Sequence, residues 1–202
     1  MIITNEFENI YWPNKQLILG IDEVGRGPLC GPLVVCGAIL PIGYINDKVI
    51  DSKKLSEKKI DIIYNELIKD CIWYHIEIVT PKEIDTLNIY QATKKAMEKI
   101  ANLAPKSMIL TDAMPLDINN KYEKLIKGDQ RSINIAAASI IAKYTRDHIM
   151  LEYDSLYPEY GYKDHKGYPT KKHLDAIKEY GLKDFYRLSY KPCQEINKIL
   201  LF

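Results

Sequence analysis

Neither sign of charge dominates this chain: its 202 residues carry 28 Lys and Arg against 27 Asp and Glu, a net charge of +1. Bulk attraction to a polyanion or a membrane surface is thereby excluded, and any such contact must come from local clusters. Clusters exist at Lys53-Lys54, at Lys58-Lys59, at Lys163 and Lys166 around His165, and at Lys171-Lys172-His173. Any one of them taken alone reads first as solvated surface. The four cysteines, Cys30, Cys36, Cys71 and Cys193, are scattered without a C-x-x-C pair. With no close His partners either, structural zinc is not expected, and the thiols are expected to be reduced and half-buried in a cytoplasmic protein. No apolar run is long enough to cross a bilayer, and the first residues lack the basic flank and small-residue cleavage site of an export signal. No repeat, low-complexity tract or composition break marks a linker, so one domain with a substantial core is expected.

What is present is an alternation of branched apolar runs and helical stripes. Leu17 to Ile21 and Leu33 to Leu40 predict buried strands, the second ended by Pro41 and Gly43. Ile60, Ile63, Tyr64 and Leu67 predict a helix over 56–69. Cys71 to Val79 predicts a strand with Ile72, Tyr74, Ile76 and Ile78 on one face. Thr80-Pro81-Lys82-Glu83 carries the capping box of a short helix. A stripe from Ile89 to Leu103 stops before Pro105, and a strand over 107–111 follows, with Asp112 just past its end. Leu125-Ile126 predicts a further short strand, and 132–153 one long helix whose small residues allow close approach to the sheet. Residues 157–170 read as irregular, Thr170 to Gly181 as a helix, and Pro192 to Phe202 as a last one. Strands early and helices late give an α/β class: a mixed sheet flanked by helices, with a helical C-terminal part.

The segment Ile21-Asp22-Glu23-Val24-Gly25-Arg26-Gly27-Pro28 is badly suited to packing. An acid pair at the end of a buried strand must be hydrated, paired or metal-bound, because burying bare charge costs several kcal/mol or more. Neighbours on a regular strand face opposite ways, so the strand is expected to bend, bulge or end at Asp22-Glu23 if both are to serve one site. Asp112 and Asp129 fall at comparable places, and acids from separate strand ends converge readily in an open sheet. Oxygen-only ligands favour Mg²⁺ or Mn²⁺ and phosphoryl chemistry. The plain alternative is that these acids cap turns or lie on the surface. Gly25-Arg26-Gly27 begins like a dinucleotide loop, but the next glycine is Gly31 and a strand follows, so that reading fails. Its backbone amides suit a sugar hydroxyl or phosphate. Tyr168, among Lys166, His165 and Thr170, suits stacking on a sugar or base.

Together these segments resemble ribonuclease HII, the type 2 ribonuclease H family. The resemblance runs through Asp22-Glu23-Val24-Gly25-Arg26-Gly27-Pro28-Leu29, Asp51-Ser52-Lys53-Lys54-Leu55-Ser56, Thr111-Asp112-Ala113 and Lys127-Gly128-Asp129. It continues through Ala136 to Lys143, Thr145-Arg146-Asp147 and His165-Lys166-Gly167-Tyr168-Pro169-Thr170. It implies a ribonuclease H-like catalytic domain over 1–202, with 157–202 a helical extension, that cleaves RNA in RNA–DNA hybrids and nicks 5′ of single ribonucleotides in duplex DNA. By motif, Asp22, Glu23, Asp112 and Asp129 take the catalytic, metal-binding positions for Mn²⁺ or Mg²⁺. Gly25, Arg26 and Gly27 fall where the family senses the ribose 2′-hydroxyl, and Tyr168 where a tyrosine packs on the neighbouring deoxyribose. Lys53, Lys54, Lys143 and Lys166 are then backbone contacts, and the protein is expected to be a monomer. One departure stands out: where the family usually has His-Arg-x-Ser-Phe-x-Pro, this chain has Tyr186-Arg187-Leu188-Ser189-Tyr190-Lys191-Pro192. Two other readings are a nuclease or phosphotransferase of another ribonuclease H-like branch, and a nucleic-acid-binding module without catalysis.

Overall fold

Two branched apolar runs become the centre of a five-stranded mixed sheet in the computed structural model, which describes residues 3–200. Its strands are β1 (Ile18–Val24), β2 (Leu33–Ile39), β3 (Trp73–Val79), β4 (Met108–Asp112) and β5 (Tyr122–Leu125), in the spatial order β3-β2-β1-β4-β5. β1 pairs antiparallel with β2 and parallel with β4, and β4 pairs parallel with β5. Every residue of β2 is buried, as a run without alternation predicts for a strand covered on both faces.

The helices are α1 (Glu8–Tyr11), α2 (Glu57–Asp70), α3 (Pro81–Leu87), α4 (Ile89–Leu103), α5 (Ile133–Leu156), α6 (Tyr162–His165), α7 (Lys171–Tyr180) and α8 (Lys191–Leu200). Their ends follow local chemistry. Thr80 and Glu83 form the expected capping box of α3, and Thr170 accepts from the His173 amide to start α7, which ends at Gly181. The start of α5 lies against β1 so closely that a Cβ on Gly20 would come within 2.2 Å of the Asn134 carbonyl carbon. The small residues Ala136, Ala137 and Ala138 are fully buried there.

Differences from expectation are local. The segment 157–170 holds a 3-10 turn at Pro158–Tyr160 and the short α6, because Gly161 takes φ +71 and lets the chain turn between them. β5 ends at Leu125, and Ile126 is 77 % exposed. β3 begins at Trp73 rather than Cys71, and the face expected for Tyr74, Ile76 and Ile78 is the open one: Tyr74 and Ile78 are exposed and Ile76 is half-buried, while Ile72, just before the strand, is exposed too. The expected end of the last helix at Phe202 lies outside the described residues.

The chain divides into two compact units. The first comprises Met1–Val24, Val34–Glu77 and Thr93–Tyr144; among its core residues Phe7, Ile18, Met108, Leu110, Leu125 and Ile135 pack together. The second comprises Gly25–Leu33, Ile78–Ala92 and Thr145–Phe202, and so takes in the region expected as a helical extension. Its core is built on aromatic rings: Tyr160, Tyr162 and Tyr186 are buried among Leu29, Met150 and Ile177, with Tyr160 and Tyr162 stacked at 5.1 Å. No described helix is long and apolar enough to cross a membrane.

Candidate active site

In the first unit, the strand ladder itself delivers the acids. Ile21 of β1 is level with Thr111 of β4, so Asp22 and Asp112 come one residue further along two adjacent parallel strands. β1 neither ends, bends nor bulges at the acid pair: Asp22 pairs with Cys36, Glu23 with Val35 and Val24 with Val34 in unbroken register. The expected break comes later, at Gly25, whose φ of +95 turns the chain. The two acids are instead tied through the backbone, the Glu23 amide donating to Asp22 Oδ1 at 2.8 Å.

Asp22 is 6 % exposed. Burial first, then the charges of Glu23 and Asp112, hold its carboxyl well above the usual range, while a hydrogen bond from Ser139 acts the other way. Ser139 Oγ is also 3.0 Å from Ser52 Oγ. Through the paired Ser52 and Ser139 hydroxyls, the Asp51-Ser52-Lys53-Lys54 turn is linked to the buried acid.

Asp112 Oδ1 accepts from the Gly128 amide at 2.9 Å, which fixes the turn carrying Asp129. Asp129 is buried as well; burial and then the charges of Asp51 and Asp112 raise its carboxyl, against the opposing charge of Lys53. Asp51 therefore joins the acidic field, which the sequence reading did not assign to it. Lys53 and Lys54 are exposed, the latter 3.9 Å from Asp51, and Lys143 is half-buried on α5.

Among the described residues, no three His, Cys, Asp or Glu side chains are gathered closely enough to enclose a metal ion as they stand. The acids are coupled neighbour to neighbour, from Glu23 through Asp22 and Asp112 to Asp129, and mutual repulsion opposes closer approach. Their donor set nevertheless fits a hard divalent cation: it is all oxygen, and the positive charge that would relieve Asp22 is what such an ion brings.

The second unit holds the glycine-arginine turn. Gly25 is buried, and a Cβ there would meet Arg146 Nε at 2.4 Å, so both its φ and its surroundings require glycine. Arg26 and Gly27 are exposed. The Tyr168 ring lies over Gly27, 3.2 Å from where a Cβ would be, so the tyrosine and the turn expected to act together are in contact. Tyr168 is 45 % exposed, which leaves ring surface open. Behind it, the buried His173 donates from Nδ1 to the Tyr168 carbonyl at 2.9 Å and accepts at Nε2 from the Tyr186 hydroxyl at 2.7 Å; that hydroxyl in turn lies 2.9 Å from Tyr162 Oη. The carbonyl can only accept, which sets this tautomer. Tyr186, at the position of the family's histidine, is thus a buried hydrogen-bond donor. Lys166 Nζ is held on the Lys163 carbonyl at 2.8 Å.

Cys30, Cys36 and Cys193 are buried outright and Cys71 is half-buried, and all are unbridged. Burial pushes the Cys30 and Cys71 thiols up to about 12, which makes them packing groups without thiolate chemistry.

A family model described as Ribonuclease HII matches residues 19–193. The chain is 51% identical over 184 residues to the Ribonuclease HII of Francisella tularensis subsp. novicida, covering 89% of this chain and 98% of that protein. It is similar in structure to the ribonuclease H2 from Pyrococcus horikoshii, with TM-score 0.75 and 26% identity over 92% of this chain and 99% of that one. The RNase HII of Archaeoglobus fulgidus, solved as a complex with PCNA, gives TM-score 0.72 and 25% identity over 89% and 96%. A Bst-RNase HIII in complex with Mn²⁺ shares the fold at TM-score 0.68 and 19% identity, over 91% and 70%.

Proposed function

Because the chain belongs to the ribonuclease HII family, and is by that membership a ribonuclease H acting on RNA–DNA hybrids, we propose that it also nicks duplex DNA on the 5′ side of a single embedded ribonucleotide, leaving 3′-hydroxyl and 5′-phosphate ends. One observation carries the reading: Asp22, buried on β1, faces the like charges of its neighbour Glu23 and of Asp112 on the adjacent parallel strand. Such an arrangement destabilises the empty protein, and it is useful where a cation is to be taken up.

In this proposal Asp22, Glu23, Asp112 and Asp129 hold Mg²⁺ or Mn²⁺; the second is the ion in the Bst-RNase HIII complex. When bound, divalent ions supply an activated water and charge stabilisation at the leaving oxygen. The chain's own residues do the rest. Ser139 orients the Asp22 carboxylate, and Ser52 orients Ser139. Gly25, Arg26 and Gly27 read the ribose 2′-hydroxyl, the one group that separates a ribonucleotide from its deoxy counterpart. Tyr168 packs on the adjoining deoxyribose, and Lys53, Lys54, Lys143 and Lys166 hold phosphates, positioning the strand without reading sequence. The enzyme acts as a monomeric, cytoplasmic catalyst, its residues 1–202 serving as one catalytic domain.

The test compares duplex DNA carrying one ribonucleotide with the all-DNA duplex, in Mg²⁺, in Mn²⁺ and in chelator. Cation-dependent cutting 5′ of the ribonucleotide alone is expected. Cutting of both duplexes would point to another ribonuclease H-like nuclease, and binding without cutting would remove the catalytic reading.

A further inference from the structure

Two buried guanidinium groups in the second unit are spent almost entirely on the backbone of one turn. Arg187, fully buried, donates from Nε and Nη2 to the Gly31 carbonyl at 3.1 and 2.9 Å, and from Nη1 to the Arg26 carbonyl at 3.1 Å. Arg146, 1 % exposed, donates to the Pro32 and Cys30 carbonyls, each at 3.3 Å. The Tyr190 hydroxyl closes a triangle: it accepts from Arg187 Nη1 at 3.0 Å and donates to the Arg26 carbonyl at 2.6 Å, while the guanidinium carbon lies 5.3 Å from the centre of its ring. The segment carrying Arg187 and Tyr190 is itself braced, since Asp85 accepts from the Leu188 and Ser189 amides at 2.9 Å and from the Ser189 hydroxyl at 2.6 Å.

A trans peptide sends its carbonyl and the following amide in opposite directions, and the described chain contains no cis peptide. Fixing the Arg26 carbonyl on Arg187 and Tyr190 therefore fixes the Gly27 N–H on the opposite side, at an exposed residue beside the Tyr168 ring. We propose that Arg187 and Tyr190 are positioning residues for ribose recognition: their clamp on the Arg26 carbonyl pre-aims the Gly27 amide, and Tyr190 determines how rigidly. Ordering the turn before substrate arrives lowers the cost of binding rather than the barrier to cleavage.

This rests on the proposed reading of Gly25-Arg26-Gly27, and the test separates the two. Tyr190→Phe keeps the ring and removes the hydroxyl at a half-buried position. KM for the single-ribonucleotide duplex should rise about three- to tenfold, as for loss of one or two hydrogen bonds, with kcat within about twofold and affinity for all-DNA duplex unchanged. Backbone order parameters at Gly25–Gly27 should fall in the free protein, a readout independent of activity. Arg187→Lys keeps the charge but loses the fork, and should raise KM further. Should Arg187→Lys fail to fold, Tyr190→Phe decides alone. Unchanged order parameters would overturn the clamp; looser amides with unchanged KM, or a lower kcat at constant KM, would overturn its role in recognition. A wild-type enzyme that ignores the embedded ribonucleotide would instead sink the substrate assignment, leaving the order parameters to judge the clamp.

Discussion

At the scale of single residues, the acid cluster makes opposite demands on stability and on chemistry. The Asp22 carboxyl is held above its ordinary value of 3.8 by burial and by Glu23 and Asp112. The folded chain therefore keeps a proton there that the unfolded chain gives up, and stability falls as pH rises above that ordinary value. Asp22→Asn should thus cut turnover on RNA–DNA hybrid about 1000-fold or more. The same change should raise the thermal midpoint at pH 7 in chelator by about 2–4 °C, the shift that ~1 kcal/mol makes in a chain of this size. A less stable variant would show that Asp22 is not under electrostatic strain. His173 works with the reverse sign. Burial lowers it from 6.5 to about 4, so between those values the unfolded chain binds the proton that the fold refuses. Its contribution is complete above about 6.5 and is lost as pH falls through about 4, at most about 3 kcal/mol. Urea midpoints should therefore drop between pH 7 and pH 4, and His173→Gln should flatten that slope while lowering stability at pH 7.

At the scale of elements, the start of α5 depends on a residue far from it in sequence. Glu8 is fully buried, and its Oε1 accepts from the Ser132 hydroxyl at 2.6 Å and from the Asn134 side-chain amide at 2.9 Å, at the N-terminus of the longest helix. A carboxylate is well placed at that positive end. Asn134 in turn accepts the Leu40 amide at 2.8 Å, so α1, α5 and the end of β2 share one polar knot. Glu8→Ala should destabilise the chain by about 2–3 kcal/mol, because several buried donors lose their acceptor; urea melts of the chelated protein would measure it. No pattern in the sequence announces Glu8, since a lone acid among polar neighbours carries no period and its partners lie more than 120 residues away. The elements themselves were legible. Branched runs gave β1, β2 and β4, and Thr80, Thr170 and Gly181 marked helix ends, because these signals act within a turn of the chain. The open face of β3 was not, since alternation reports two faces without saying which is covered. The candidate acids were legible from their places relative to strands. Asp51, Arg146, Arg187 and Tyr190 lie in segments that carry the resemblance, but their roles came only from tertiary neighbours: no local pattern says that both arginines are buried on carbonyls.

At the scale of the whole molecule, a net charge of +1 means that no long-range field draws the enzyme to a polyanion. The acidic field around Asp22, Asp112 and Asp129 opposes phosphate until a cation offsets it. Affinity for RNA–DNA hybrid must then come from a few short-range cations, of which Lys53, Lys54, Lys143 and Lys166 are the proposed set. Each phosphate neutralised contributes roughly −0.9 to the slope of log affinity against log salt, so four contacts predict a slope of about −3 to −4, shallow beside strongly basic nucleic-acid binders. Replacing Lys53 or Lys166 by Ala should reduce that slope by about 1 and weaken ribonucleotide-containing and all-DNA duplexes alike, since phosphate contacts carry no sugar information. Binding isotherms in Ca²⁺ from 50 to 300 mM salt would measure this. A slope near −8, or a lysine variant that alters only the ratio between the two duplexes, would show that recognition is distributed differently from the assignment made here.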